Sequence, residues 1–152
     1  MKETTVVIDD GGRAAAGFKG KTGDCVVRAV AIATEQPYGE VYAALAEGCR
    51  TQIKTKRSRV QASARNGVNV KRKWFQDYMF GLGWEFTPTM GIGTGCRVHL
   101  LKSELPDGRI IVSLSNHYAA VIDGVAHDTY DSTRRGTRCV YGYWAVAEPQ
   151  DG

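Results

Sequence analysis

The sequence predicts an α+β fold, with helices in the first half of the chain and a sheet in the second. Apolar residues recur at helical spacing over 25–33 and 74–82, whereas short β-branched and aromatic runs alternate with turn signals after residue 108. We therefore predict one domain over 1–152, in which N-terminal helices pack on a C-terminal antiparallel β-sheet.

The composition is that of a globular protein, with 43% hydrophobic and 24% charged residues. No stretch approaches the ~20 apolar residues of a membrane span, and the N-terminal MKETTVVIDDGG lacks the apolar core of a signal peptide. We predict a cytoplasmic protein without membrane partners. Its cysteines form no close pair, so we expect four free thiols in a reducing compartment: Cys25, Cys49, Cys96 and Cys139.

The first elements are read from local signals. TTVVID (4–9) has the composition of a short edge strand, and residues 1–20 read as a flexible approach to the first helix. That helix is predicted from Cys25 to about Ala33, with Asp24 or Thr22 as its cap. Because it is apolar nearly all round, we expect it at the centre of the domain.

Two further helices follow. Pro37 suits the first turn of the second helix, whose apolar face contains Val41, Tyr42 and Leu45. The third helix ends at Gly81 and Gly83, before a glycine-rich loop. Its apolar positions are Trp74, Phe75, Tyr78, Met79 and Leu82.

The predicted strands lie in the last third of the chain. They are RIIVSLS (109–115), HYAAVID (117–123), VAHDTYD (125–131) and CVYGYWAV (139–146). Asp123-Gly124 is a strong signal for a two-residue hairpin turn.

Cys25 is the first candidate for chemistry, because a thiol at a helix start feels the positive end of the helix dipole. A buried structural cysteine is the alternative, and position alone favours it, because free cysteine is among the most buried residue types. His117, at a strand start, supplies the base that a cysteine nucleophile needs, and Asp128 supplies a group to orient that base.

The hairpin turn selects Asp128 among three acids downstream of His117. A two-residue turn at Asp123-Gly124 puts His117 and Asp128 on the same face as diagonal neighbours. A loop one residue longer would place Asp131 opposite His117 instead. We therefore predict the two-residue turn and Asp128.

Two stretches, GDCVVRAVA and GRIIVSLSNHYAAVIDGVAHDTYD, resemble the papain-like thiol hydrolases in their order and spacing. The likeness is to compact bacterial and phage forms such as the bacteriocin-leader peptidases, and it covers residues 23–33 and 108–132. It implies a papain-like fold and action on amide, peptide or isopeptide bonds. By position, Cys25 would be the nucleophile, His117 the general base and acid, and Asp128 the orienting group.

The sequence departs from this family before the cysteine. Papain-like enzymes usually have a Gln about six residues upstream that completes the oxyanion hole, and Lys19 stands there in this chain. Lysine is a mobile point charge rather than a fixed amide donor. The candidates for oxyanion or supporting roles are therefore Lys19, Asp24 and Asn116.

The leading hypothesis is a cysteine hydrolase that acts on a peptide or protein through an acyl-enzyme and uses no cofactor or metal. If an amine replaces water, the same residues make an acyltransferase or transglutaminase-like enzyme. A zinc site at Cys96 and His99, completed by Cys49 or Cys139, is a weak alternative because no second close pair is present.

A binding module on the same fold is the alternative from another class. Between Glu47 and Asp77 the chain has nine basic residues and no acid, while the rest has 11 basic against 16 acidic residues. This basic segment, 50–73, would bind nucleic acid through its phosphates, bind a protein partner, or be a solvated, mobile face.

Overall fold

Three α-helices and six β-strands make up the described part of the chain in a computed structural model. It describes residues 6–17, 24–51, 70, 72–90, 95–115, 117–133 and 135–147. The helices are α1 (Cys25–Thr34), α2 (Tyr38–Thr51) and α3 (Lys73–Gly81). The strands are β1 (Val6–Ile8), β2 (Trp84–Pro88), β3 (Arg109–Leu114), β4 (His117–Ile122), β5 (Val125–Asp128) and β6 (Gly142–Val146). The predicted α+β class is confirmed.

All six strands form one sheet in the order β1-β5-β4-β3-β6-β2. Its neighbours are antiparallel except β1 and β5, which run parallel with Val6 opposite Ala126. The sheet is therefore mixed, and the expectation of a wholly antiparallel sheet is wrong at this edge. A long connection through helices separates β1 from β5, and such a connection permits a parallel pair, whereas a tight hairpin does not.

The two edge strands lie before the predicted sheet region in the sequence. β1 occupies one edge, as its composition predicts. β2 occupies the other edge and pairs with β6, with Trp84 opposite Val146. The sequence did not indicate β2, because four of its five residues are exposed and one of these is Pro88.

α1 lies at the centre of the domain, as predicted, and packs on β3, β4 and β5. Seven of its ten residues are buried, since its alanines and valines leave no polar stripe. Asp24 occupies the cap position, but its side chain makes no capping hydrogen bond. Asp24 is therefore the N-cap residue, in agreement with one of the two predicted alternatives, but it does not cap the helix through its side chain; Thr22 lies outside the described residues.

α2 and α3 cover the same face of the sheet as α1. Val41 and Leu45 of α2 are fully buried, in agreement with the predicted apolar face. Phe75 of α3 meets the rings of Tyr118 and Trp144 edge-on, with centroids 6.3 and 6.0 Å apart. Among the described helices, none combines the length and apolar character that a bilayer span requires.

The opposite face of the sheet is covered by the chain around residues 98–105 and by Val140. An isolated antiparallel β-bridge between His99 and Cys139 joins the two segments of this layer. Cys96 and Cys139 are joined by a disulfide, with Cα atoms 5.8 Å apart. The prediction of four free thiols is therefore wrong, because two cysteines 43 positions apart become neighbours only through this long-range pairing.

The β4–β5 hairpin has the predicted two-residue turn. Asp123 and Gly124 have φ angles of 49° and 79°, the left-handed pair typical of a type I′ turn. The register follows directly, with Ile122 opposite Val125 and Ala120 opposite His127.

Candidate active site

His117 and Asp128 meet at the end of the β4–β5 hairpin. His117 Nε2 lies 2.6 Å from Asp128 Oδ2, and both side chains are buried. The hairpin register explains the contact, because the two residues lie diagonally across the strands on one face. The structure thus brings together the His and Asp that the sequence selected.

Cys25 completes the cluster from the first residue of α1. Its thiol is partly exposed and makes a hydrogen bond with the His117 side chain. Asp128 already engages Nε2, which leaves Nδ1 for the sulfur. The arrangement is a thiol, an imidazole and a carboxylate in series, held by a helix start and two adjacent strands.

Electrostatics in this cluster favour the thiolate–imidazolium pair. Burial alone would raise the pKa of the Cys25 thiol, but hydrogen bonds from His117 and the Tyr118 amide bring it below its ordinary value, with Arg28 contributing. Burial would lower the pKa of His117, yet bonds to Asp128 and Cys25 raise it above its ordinary value. Both shifts favour the charged thiolate–imidazolium pair over the neutral thiol and imidazole.

Asp128 remains a carboxylate in this pair. Burial raises its pKa, but the His117 hydrogen bond and charge, together with the Thr129 amide, lower it below the ordinary range. The Thr129 amide donates to Oδ1 at 2.8 Å. A carboxylate so held fixes the ring orientation of His117.

The other acids near the hairpin serve local turns. Asp131 is exposed and its Oδ1 accepts bonds from the Thr133 amide and hydroxyl. Asp123, at the far end of the hairpin, accepts a bond from the Gly108 amide. The ring of Tyr130 lies 5.3 Å from that of His117 and covers its outer side.

Asp24, predicted for an oxyanion or supporting role, is buried and surrounded by donors. Its carboxylate contacts Arg28, the Tyr38 hydroxyl at 2.5 Å and Arg13 Nε at 3.4 Å. It is an acceptor and cannot donate to an oxyanion. Its negative charge is compensated by two guanidinium groups, so it does not act on the thiolate as a bare like charge.

The backbone amides in the first turn of α1 are the candidate oxyanion donors within the described part of the chain. These amides have no partner within the helix and point toward the cysteine end. Lys19 and Asn116, the predicted candidates for a second donor, lie outside the described residues.

A mainly apolar cavity of about 290 Å³ lies on the helix side of the sheet. Phe80, Phe86, Tyr118 and Trp144 line much of it, together with Ser113. Tyr118 links the cavity to the cluster, because its side chain lines the cavity while its amide bonds to the Cys25 thiol.

Two contributors to the site were missed from sequence, namely Arg28 and Tyr118. Arg28 stands four residues after Asp24 in an otherwise apolar helix, and that spacing signals an ion pair on one face. Tyr118 had no comparable signal, because aromatic residues are common in strands.

The zinc alternative has no support in the described residues. Cys96 and Cys139 bond to each other, His99 pairs with Glu104 at 3.2 Å, and Cys49 is buried in α2. In the described part of the chain, no three His, Cys, Asp or Glu side chains lie together so that they could hold a metal ion.

Most of the basic segment, 52–69 and 71, lies outside the described residues, as do 91–94 of the glycine-rich loop. Of the basic side chains that are described, Arg50 pairs with Glu47, and Lys73 lies 2.7 Å from Asp77. Nucleic-acid binding by this segment stays a prediction.

Comparisons with known proteins leave the site to be interpreted on its geometry. No protein-family model, no curated protein and no solved structure matches the chain.

Proposed function

We propose that this protein is a papain-like cysteine hydrolase that cleaves an amide, peptide or isopeptide bond of a peptide or protein. The observation that carries the proposal is the series of contacts from Cys25 to His117 to Asp128, with a thiol pKa lowered and an imidazole pKa raised. Paired shifts of this kind are typical of catalytic sites. A structural cysteine needs neither partner.

The proposed reaction proceeds in two steps. Cys25 Sγ attacks the carbonyl carbon, the α1 amides stabilise the oxyanion, and imidazolium His117 gives its proton to the leaving amine. The resulting thioester is attacked by water, whose proton His117 accepts. The carboxylic acid leaves and the thiolate–imidazolium pair is restored.

An acyltransferase uses the same first step. If an amine enters instead of water, the acyl group passes to that amine and the enzyme behaves like a transglutaminase. The cavity beside Tyr118 supports either version, since it can receive an apolar group of the acyl substrate.

The cytoplasmic location also remains a proposal. The Cys96–Cys139 disulfide counts against it, because cytosolic thiols are normally kept reduced.

An activated ester tests the function directly. With p-nitrophenyl acetate, attack by Cys25 releases p-nitrophenolate and leaves an acetyl group on the sulfur, which intact-mass and peptide mapping locate. We expect acetylation at Cys25 in the native protein, and its loss in Cys25→Ser but not in the matched control Cys49→Ser. Adding a primary amine separates transfer from hydrolysis, because an amide above the level formed by Cys25→Ser appears only if the amine replaces water at the thioester. Acetylation that spares Cys25 contradicts the proposal.

A further inference from the structure

Arg28 lies between two buried carboxylates, those of Asp24 and Asp128, and the proposed mechanism gives it no role. It lies one turn into α1 and is 8% exposed. Its Nη1 bonds to Asp24, and its Nη2 lies 3.5 Å from Asp128 Oδ1. A buried guanidinium is strongly unfavourable unless it is paired, and the rest of the buried surface of α1 is valine and alanine. Arg28 therefore serves something other than packing.

The anchor of Arg28 is itself fixed from separate parts of the chain. Asp24 receives the Tyr38 hydroxyl of α2 and lies 3.4 Å from Arg13, in the turn structure after β1. Burial and the neighbouring Asp24 carboxylate raise the pKa of Tyr38, so its phenol keeps the proton it donates. Asp24 thus holds Arg28 in one place.

The two oxygens of Asp128 have different partners. Oδ2 accepts the bond from His117, whereas Oδ1 accepts the Thr129 amide and faces Arg28. With both oxygens engaged, the carboxylate cannot rotate away from the imidazole.

We propose that Arg28 is a positioning residue of the active site. Anchored by Asp24, it holds Asp128 in the orientation that aligns His117 with Cys25. This inference rests on the proposed function. It extends the triad into a buried chain of alternating charge: Arg13, Asp24, Arg28, Asp128 and His117.

Arg28 also acts on the thiol directly. The groups that face Cys25 are the His117 ring, the Tyr118 amide and Arg28, and all three favour the thiolate. Removing the guanidinium therefore takes away one favourable charge and loosens the carboxylate that holds the imidazolium. Both effects make the thiolate harder to form.

The test is the pH dependence of Cys25 alkylation by iodoacetamide, followed by peptide mapping. The alkylation rate rises with pH as the Cys25 thiolate forms, and the midpoint of this rise is the quantity compared. In Arg28→Met we expect the midpoint to rise by about half a pH unit or more, which lowers the alkylation rate near pH 6 about threefold. Arg28→Lys keeps the charge but not the two-pronged geometry, so it should recover part of the shift.

Arg109→Met is the matched control. Arg109 also ties α1 to the sheet, through the Ile32 carbonyl at 2.8 Å and Glu35 at 2.9 Å, but at the other end of the helix. We expect Arg109→Met to keep the native pH midpoint of Cys25 alkylation, even if its thermal stability falls. If Arg28→Met does not fold, Arg28→Gln removes the guanidinium charge but keeps a hydrogen-bonding group for Asp24, and it should shift the midpoint in the same direction.

The outcomes separate the two proposals. A folded Arg28→Met or Arg28→Gln protein with the native midpoint overturns the positioning role and leaves the hydrolase proposal standing. If the native thiol itself titrates like an ordinary cysteine, the proposed function fails and the role of Arg28 fails with it.

Discussion

His117 Nε2 and Asp128 Oδ2 lie 2.6 Å apart, and this contact turns a strand histidine into a charged partner for a thiol. It depends on a hairpin turn of two residues, Asp123 and Gly124, because one more residue would move Asp128 to the other face. The first predictions concern this contact.

Replacing the carboxylate should impair acylation without unfolding the domain. Asp128→Asn keeps the shape but removes the charge that stabilises imidazolium His117, so we expect acylation by p-nitrophenyl acetate to slow by at least about tenfold. Asp131→Asn is the control, since Asp131 is exposed and its Oδ1 accepts hydrogen bonds from the amide and hydroxyl of Thr133 within its own turn. A larger effect from Asp131→Asn in folded proteins would contradict the assignment.

Acyl transfer should have a bell-shaped pH profile. The thiolate forms as the pH rises through the lowered pKa of Cys25, so the acid limb should lie below the ordinary thiol value of about 8.5. The imidazolium is lost as the pH rises through the raised pKa of His117, so the alkaline limb should lie above about 6.5. Release of p-nitroaniline from an acyl p-nitroanilide across this range measures both, because an amine leaving group, unlike p-nitrophenolate, needs the imidazolium proton. A single limb near the ordinary thiol value would refute the ion pair.

The cavity should govern which acyl groups react fastest. The Phe86 ring lies on Gly142, where a Cβ would fall 2.2 Å from the ring edge, so Gly142→Ala must displace that ring. We expect the preference for phenylpropionyl over acetyl esters to fall by about tenfold. Gly39→Ala is the control, because its Cβ meets no atom within 4 Å. An unchanged preference in Gly142→Ala would show that substrates do not use this cavity.

The disulfide should contribute to stability rather than to chemistry. Closing a loop between residues 43 positions apart corresponds to about 4 kcal/mol in the chain-entropy description. Denaturant unfolding with and without dithiothreitol measures this, with the double change Cys96→Ser and Cys139→Ser as a second form. Equal midpoints in both states would mean that the bridge is absent in solution.

The sequence was informative where local signals decide the structure. The apolar run after Asp24 predicted α1, and Asp-Gly predicted the turn that pairs His117 with Asp128. The features that were missed depend on long-range contacts. The parallel β1–β5 pair and the Cys96–Cys139 bridge join distant segments, and no local pattern encodes either.

Arg28 combines a local sequence signal with a long-range contact. Its spacing from Asp24 was visible, but its approach to Asp128 required the packing of α1 on β5.

The central claim is that Cys25 is activated by His117, and the pH dependence of its alkylation tests it most directly. Cys49 is 1% exposed, so burial alone would make it react slowly, and faster labelling of Cys25 than of Cys49 is not evidence of activation. We predict that Cys25 reacts with iodoacetamide near pH 6, with a midpoint well below about 8.5, and that His117→Ala returns the midpoint toward that value. A native midpoint near the ordinary thiol value, or one that His117→Ala leaves in place, would contradict the claim.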